Sequence, residues 1–575
     1  MSGIGMRWAG WLLAAFVVQT SASLLALTAY AQSASQVTPP TFLPPRSSGG
    51  GVVIGTPEQA PLTAPADVAG ASVQIAGVRV VGLFPEVAAD ARRVLDRVKG
   101  RRLSVTELYA IASAIEQLHL AAGYVLARVI IPPQEIVDGS TFTIEVIDGF
   151  IEAVEGEQLP ERVRGPVLAR TSSLVGKRHV TLAEIERRVL LAGDVPGLQL
   201  SSALARGKSR GGTRLILQGT HAVMQGTLVS DNRLNPSLGG WQHTASVWVN
   251  SGLGLGEQLY GTAAGSGDIL HENSRLKMFA AGLVIPLGRD GLTLNPEFTQ
   301  TESSPMPAAG APETNDLFQR LAVRMSYPFV RTRSVTLSAQ TVYEHNAQQS
   351  EAIAFNTLLS RDEYDVLRNG LQLTLGSASG GTLAFSAQLS NGLTGRTQAD
   401  ATAQGVPLSR QNSGPQFSKM SGEILVSQML PQLVRLQVSA RAQASHSGAL
   451  LKSEQFSLEG ADILTGWVGG TFLVDQGVAA RAEISRRFEI SDTGWLKAAT
   501  PYVFAATGHG QLFAATAAEV TAVTATSLGF GMRGAVNLPG TGLGGFTALE
   551  LAKRYTDDPN RPSGWRGVVS FGVRF

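Results

Sequence analysis

Val434-Arg435-Leu436-Gln437-Val438-Ser439-Ala440-Arg441 changes character at every residue. Val434, Leu436, Val438 and Ala440 fall on one side of an extended chain, and Arg435, Gln437, Ser439 and Arg441 on the other, because strand side chains alternate in direction. The same period recurs at Leu383, Phe385, Ala387 and Leu389, interleaved with Ala384, Ser386 and Gln388, and again at Leu528, Phe530 and Met532, interleaved with Gly529, Gly531 and Arg533. The chain closes in the same way, with Trp565, Val569, Phe571, Val573 and Phe575 on one face. A soluble sandwich also alternates. Here the non-apolar face carries Arg, Gln and Ser, which suit a wet lumen better than a dry core between two sheets. The reading is a transmembrane β-barrel from 219 to 575. About 355 residues, at roughly ten per strand plus turns and loops, make about sixteen antiparallel strands.

Composition agrees. Of 575 residues only 16% are charged while 44% are hydrophobic, against roughly 25% charged in an ordinary soluble domain. A barrel loses charge by giving half of each strand to lipid. Lys+Arg 47 against Asp+Glu 45 leaves no electrostatic footprint for nucleic acid. With no cysteine, disulfide scaffolds and Cys-ligated metal sites are excluded. One feature fits poorly: aromatics are 6% of the chain, thin for the two girdles that a barrel places at the membrane interfaces.

Upstream of the barrel, 1–31 read as a secretory signal, with Arg7 before an apolar stretch and Ala29-Tyr30-Ala31 as a small-x-small cleavage site. Residues 32–72 are rich in Pro, Gly, Ser and Ala, carry no helical or strand period, and read as a flexible linker. From 73 to 149 the order is βααββ: a strand over 73–83, a helix over 85–99, a helix opened by a Ser104/Glu107 capping box with Leu108, Ile111, Ile115 and Leu118 along one face, and strands over 124–131 and 141–147. The same order returns over 150–218, with a strand over 150–154, a helix over 166–174, a helix capped by Thr181 with Glu184, and strands over 198–204 and 213–217. The whole is thus α+β, two small domains in tandem, followed by an all-β barrel.

These residues resemble the outer-membrane transporters of two-partner secretion, which export haemolysins and filamentous adhesins and carry periplasmic POTRA domains. In the first domain the resemblance lies in Gly123-Tyr124-Val125, Ala127-Arg128, Ile131-Pro132-Pro133-Gln134 and the run from Ile144 to Glu152. In the second it lies in Glu186-Arg187-Arg188-Val189-Leu190-Leu191 leading to Asp194-Val195-Pro196-Gly197. At the start of the barrel it lies in Asp231-Asn232 and Asn250-Ser251-Gly252-Leu253-Gly254-Leu255-Gly256-Glu257, with Glu257 where Asp is usual. Phe575 resembles the terminal signal by which such barrels are recognised for assembly. The family also has a loop folded into the lumen. Its approach is similar to Glu454-Gln455-Phe456-Ser457-Leu458-Glu459-Gly460, but the tip here reads Leu464-Thr465-Gly466-Trp467, with Thr465 replacing the family's arginine. The wall motif that receives that arginine matches Phe504-Ala505-Ala506-Thr507-Gly508, with Ala506 replacing an aspartate. Losing both partners avoids stranding a charge in a confined site, so the loop is expected to enter the lumen on Trp467 packing and backbone hydrogen bonds.

The resemblance implies an exporter. Its POTRA domains would take an unfolded secreted exoprotein, of adhesin or haemolysin type, by strand addition at the sheet edges around Val125, Ala127, Val129 and Ile131 and around Leu198, Leu200 and Leu204. The cargo would cross a lumen lined by residues such as Arg435, Gln437 and Arg441. The implied setting is the outer membrane, with the domains in the periplasm. The implied partners are membrane lipid and, during biogenesis, the barrel-assembly machinery, the barrel being a single chain. A factor that inserts other barrels, a relative that has lost export, and a passive porin stay open as alternatives. Enzyme chemistry finds no support: the eight histidines are scattered, and no cofactor or metal is expected. Gly540-Thr541-Gly542-Leu543-Gly544-Gly545 matches a dinucleotide fingerprint only in letters, since it joins two alternating segments. Asp362-Glu363 and Asp557-Asp558 read as solvated loop charges.

Overall fold

The computed structural model describes residues 33–38, 41–42, 54–55, 62–66, 69–267, 274–308, 310–491, 494–517, 519–538 and 543–575. The expected signal at 1–31 lies outside the described residues. Among those residues no helix is long and apolar enough to cross a membrane.

In the first domain the helix Val105–Ala121 starts where Ser104 accepts from the Glu107 amide and the Glu107 carboxylate reaches back to the Ser104 amide. Leu108, Ile111 and Ile115 are buried along one stripe and meet Phe142, Ile144 and Val146 of Thr141–Ile147. The expected strand over 73–83 is two. Ser72–Gln74 pairs with Arg102–Ser104, whereas Gly77–Val81 runs parallel to Thr141–Ile147. The break falls at Ile75 and Ala76, whose amides turn to the Arg101 and Ser140 carbonyls. The expected strand over 124–131 shortens to Arg128–Ile130, because Tyr124 to Ala127 is a turn closed by the Ala127 amide on the Tyr124 carbonyl. The helix over 85–99 contracts to Ala88–Asp96 behind the 3-10 turn Pro85–Val87.

The second domain packs Glu161–Thr171 and Leu182–Gly193 on a sheet ordered Ile54–Gly55, Leu198–Arg206, Gly212–His221, Phe150–Gln158. Its first helix starts before Pro166, which lies inside it and not at its head. Thr181 accepts from the Glu184 amide. The two domains share packing: Val125 and Leu126 of the first belong to the core of the second.

The linker departs from expectation. Ala34–Val37 forms a 3-10 turn inside the barrel, and Ile54–Gly55 pairs with the second domain's sheet.

The barrel opens at Met224–Asp231, two residues after the last strand of the second domain. Its ring is closed and each strand pairs antiparallel with the next. Seventeen segments make it up, of which Gln476–Arg486 and Phe488–Glu489 are halves of one strand against Leu496–Gln511, so the strands number sixteen. The seam joins Thr227↔Arg574 through Asp231↔Ser570, and the Gly226 and Phe575 amides exchange hydrogen bonds of 2.9 and 3.1 Å with each other's carbonyls. Along Thr314–Arg331, Leu321, Val323 and Met325 are exposed, as a lipid-facing row requires, while Phe318 and Ala322 are buried. Exposed Phe329, Phe488, Trp495 and Phe575 sit at the domain-side strand ends, and exposed Trp241, Phe355, Tyr555 and Trp565 at the distal ends. Exposed aromatics thus mark both ends sparsely, and others, Phe298, Tyr343 and Phe530, lie within the strands. Ala522–Leu538 pairs antiparallel with Leu543–Thr556; of the expected glycine turn, Gly540, Thr541 and Gly542 lie outside the described residues. Asp362 departs from its reading: it is buried within Thr357–Gly376 and accepts from the Ser409 amide at 2.8 Å.

Candidate functional site: a loop-filled lumen and its joint with the second domain

The connection 446–475, between Val434–Ser445 and Gln476–Arg486, turns back into the barrel. Phe456–Ser457 pairs with Leu473–Val474 to make it a small hairpin. Glu459 is buried and accepts from the Phe472 amide at 3.2 Å and from the Thr471 amide. That carboxylate therefore closes the loop's own end.

The root of the loop is held by charge. Glu454 is 1% exposed and receives Arg368 at 2.7 and 3.0 Å, Lys419 at 2.8 Å and the Tyr364 hydroxyl at 2.6 Å. Arg368 also donates to Glu344 at 2.9 Å. A second buried pair, Arg410–Asp475 at 2.6 Å, ties three connections together, since Arg410 also donates to the Leu450 carbonyl at 2.9 Å and the Phe513 carbonyl at 2.6 Å.

The tip is held differently. Leu458, Ile463, Leu464, Trp467 and Phe472 pack on wall residues Tyr502, Phe504, Ala506 and Ala552. Trp467 lies edge-on to Phe472 at 4.8 Å, below the Arg554 guanidinium at 4.8 Å. The approach is close enough to need small residues: a Cβ on Gly466 would stand 2.9 Å from Ala552, and one on Gly508 2.9 Å from Leu464. Thr465 donates to Glu550 and accepts from Arg481 at 2.7 Å. Arg481 is in turn held by Glu483 at 2.9 Å and Glu550 at 3.1 Å and lies over the Phe504 ring at 3.7 Å. Arg533 and the Tyr502 hydroxyl complete the wall cluster through Glu483 and Glu550. A guanidinium thus does sit at the tip, but the wall supplies it. Arg481 is the cross-strand neighbour of Ala506.

Sequence reasoning overlooked Arg481, Glu483 and Glu550. A usable signal existed: Ala480-Arg481-Ala482-Glu483 puts two charges on one face of an otherwise small-residue strand, and Leu549-Glu550-Leu551 puts another on the lumen face. Charges facing inward at alternate positions need partners.

The lumen also holds the N-terminal segment. Thr38 donates to Thr301 at 2.8 Å and Thr41 to Glu297 at 2.6 Å, Arg324 lies over the Phe42 ring at 4.2 Å, and Arg320 bridges Thr41 and Glu297 at 2.8 and 3.0 Å.

At the domain end, Glu186 to Gly197 forms a joint with the barrel's turns. Arg187 donates to the Phe329 and Pro328 carbonyls at 3.1 and 2.9 Å, Arg188 pairs with Asp290 at 2.5 Å, Glu186 with Arg333 at 3.2 Å, and Asp194 receives Arg331 at 2.8 and 3.0 Å. Gly197 has φ +75° and would drive a Cβ to 2.3 Å from the Ala222 carbonyl, so only glycine suits. From the barrel side, Asn250 donates to Ala222 at 2.9 Å, and the Glu257 carboxylate accepts from the Leu253 and Leu255 amides at 2.6 and 3.0 Å. Glutamate caps this turn where the resemblance expects aspartate. Burial lowers the affinity of Arg170 and His221 for their protons at this joint, against the opposing Asp194 charge and Pro196 carbonyl respectively.

The remaining expected residues divide. Thr465, Gly466 and Trp467 come together with Phe504, Ala506 and Gly508 in one cluster. Arg441 donates to the Glu459 carbonyl and so belongs to the loop's support; Gln437 and Arg435 share its face towards the domain side. Val125, Ala127 and Val129 are buried, and only Arg128–Ile130 is edge strand. Leu198, Leu200 and Leu204 also point into the core, leaving Gln199 and Ala203 exposed. These apolar side chains therefore offer an extended chain no pocket; the edges offer main chain.

Residues 211–534 match the family described as haemolysin secretion/activation protein ShlB/FhaC/HecB, and residues 73–149 match the ShlB-type POTRA domain. The heme/hemopexin transporter protein HuxB of Haemophilus influenzae strain 86-028NP is 22% identical over 401 residues, covering 69% of each chain. Among solved structures, CdiB from Escherichia coli superposes with a TM-score of 0.70 at 19% identity, covering 90% of this chain and 94% of that one. CdiB from Acinetobacter baumannii does so with 0.61 at 14%, covering 91% and 94%.

Proposed function

We propose a mechanism from the premise that this chain belongs to the ShlB/FhaC/HecB family of haemolysin secretion/activation proteins. It is a two-partner secretion transporter of the outer membrane, with its POTRA domains in the periplasm. Members of the family are transporters and not enzymes, and they move secreted exoproteins.

The cargo we infer is a long, unfolded exoprotein of adhesin or haemolysin type. The HuxB relative, named for heme and hemopexin, makes a protein that handles those ligands one specific candidate. Cargo is captured as an extended strand on the POTRA sheet edges, where main-chain hydrogen bonds supply affinity. It reaches the barrel mouth across the joint of Arg187, Asp194 and Arg331, which fixes the second POTRA domain to the rim. It then needs the lumen, so both the N-terminal segment and the loop tip must move. The observation that carries this reading is the division of the loop: an ion-paired root and a tip held by apolar packing and a neutral threonine. The barrel acts as a single chain, delivered by the barrel-assembly machinery.

The test is deletion of the gene, with proteins of the culture medium and of the outer membrane compared against the parent. Loss of one large exoprotein, restored by complementation, is the expected result. An unchanged medium together with loss of other barrels from the membrane would sink the export reading in favour of barrel insertion.

A further inference from the structure

A sheet edge on which cargo is to be captured should be open. One of the two is not. In the second POTRA domain Leu198–Arg206 forms one side of the sheet, and Ile54–Gly55 of the chain's own linker is paired against it in parallel, Ile54 beside Ser202 and Gly55 beside Ala203. In sequence, Val52-Val53-Ile54 is the linker's one run of three β-branched residues, the type that favours extended backbone. Further along, Leu62 and Thr63 line a crevice of about 580 Å³ between the domains, beside Arg128 and Val129 of the first domain's edge and Arg206 of the second's. In the other direction the linker reaches the lumen at Thr41 and Phe42. The chain's own N-terminal part thus touches lumen, second edge and first edge in that order.

The polarity is informative. Leu198–Arg206 starts beside Gly197, which abuts Ala222 and Asn250 at the barrel, and ends at Arg206 in the interdomain crevice. A parallel occupant therefore has its N-terminal end towards the barrel and its C-terminal end towards the first domain. We propose that Leu198–Arg206 is a binding edge for an extended polypeptide running parallel to it, N-terminal end nearest the barrel, and that the resting protein keeps this place with its own Ile54–Gly55, which cargo displaces. The inference rests on the export reading for the identity of the incoming chain, and on the pairing for the edge and direction.

The occupant is built to be replaced. Among the described residues it pairs with two of a strand of nine, and an incoming extended chain that pairs along the whole strand would outcompete it. Tethering sustains this pairing by making it an intramolecular contact with high effective concentration. Displacement frees the linker on which the lumen segment is strung, which links capture of cargo to clearing of the pore.

The chain has no cysteine, so Ile54→Cys with Ser202→Cys can be oxidised without side reactions. In full-length protein purified in detergent, the double variant should form the disulfide and neither single variant should. The probe is a fluorescent peptide copying Gly50 to Glu58. It should bind the Ile54→Pro chain, whose linker has lost a main-chain donor, about tenfold or more tighter than wild type, and should not bind the oxidised double variant. A photo-crosslinker at the peptide's N-terminus should label the Leu198 end, and one at its C-terminus the Arg206 end. Equal peptide affinity in all three proteins, or the reverse labelling, would overturn the proposal. In cells deleted for the gene, wild type should restore the exoprotein to the medium and the oxidised double variant should not. Restoration by both would overturn the proposal and leave export standing. Restoration by neither, with the peptide results as expected, would keep the edge and overturn export.

Discussion

The root and the tip of the lumen loop are held by opposite means. At the root the loop contributes the charge: Glu454 is buried among Arg368, Lys419 and Tyr364, and the wall's cations depend on it. At the tip the wall contributes both charges: Arg481 keeps Glu483 and Glu550 whether or not Thr465 is there. Pulling out the root takes the carboxylate from buried Lys419 and one of two carboxylates from Arg368, whereas pulling out the tip breaks hydrogen bonds to a hydroxyl and exposes apolar surface. A buried ion that loses its partner is costly, while a neutral hydrogen bond lost to water costs little. The difference leaves the loop held by buried ion pairs at its root and by apolar packing and neutral hydrogen bonds at its tip. Placing the arginine on the wall in place of the loop makes release of the tip cheaper.

The comparison can be broken at either end. Glu454→Ala should cost about 3 kcal/mol by taking the carboxylate from Lys419 and one of two carboxylates from Arg368, which keeps Glu344, read as a lower thermal midpoint in micelles and rapid proteolysis within 446–475. If Glu454→Ala melts like wild type, the root is not an anchor. Trp467→Ala removes the largest apolar anchor of the tip and should cost about 3 kcal/mol of docking; the barrel's own melting should stay near wild type while the tip becomes protease-sensitive. Thr465→Arg alone sets a second guanidinium against Arg481 and should raise the frequency of open channels in planar bilayers. Adding Arg481→Ala should reverse this by giving the new arginine Glu550 to itself. If the second change leaves the channel open, the wall pair is not what receives the tip. Thr465→Val should cost about 1 kcal/mol, one hydroxyl's hydrogen bonds, and leave the loop docked. The smallest effect lies outside the lumen and serves as the control. Backbone and side-chain hydrogen bonds from Ser104 hold the Glu107 carboxyl below its ordinary range. Its contribution is therefore complete above the unfolded-state pKa and lost as pH falls through the lower folded value. Glu107→Gln should flatten that part of the acid unfolding of the first domain without any change in loop proteolysis.

Much of this fold was legible because its signals are local. The Ser104/Glu107 cap spans three residues, and the strand over 141–147 was read with the bounds it has, since Phe142, Ile144 and Val146 alternate without interruption. The misreadings share a cause. The segments 73–83 and 124–131 look like continuous strands from their apolar content, and they break where Ile75, Ala76 and Ala127 find distant or turn partners for their amides. The linker read as structureless because Ile54–Gly55 has nothing local to recommend it beyond a β-branched run; a neighbouring sheet makes it a strand. At the candidate site, the small residues Ala506 and Gly508 and the aromatic Trp467 could be named from the sequence, but Arg481 and Glu550, 69 residues apart, could not be paired.

Alternation alone determined that this chain has a lipid face and a wet face, because side-chain direction in a strand follows from covalent geometry and needs no partner. Caps at Ser104 and Thr181 and helical spacing determined equally that two α+β units precede the barrel. Which inward residues meet depends on closing the ring: strand order and stagger bring Gln476–Arg486 and Leu543–Thr556 to the same loop tip, on either side of the wall strands between them. Tertiary structure alone therefore decided that the wall, and not the loop, would carry the charge. It also decided that the linker would rest on the Leu198–Arg206 strand, since an exposed row of main-chain donors and acceptors takes whichever extended segment is nearest.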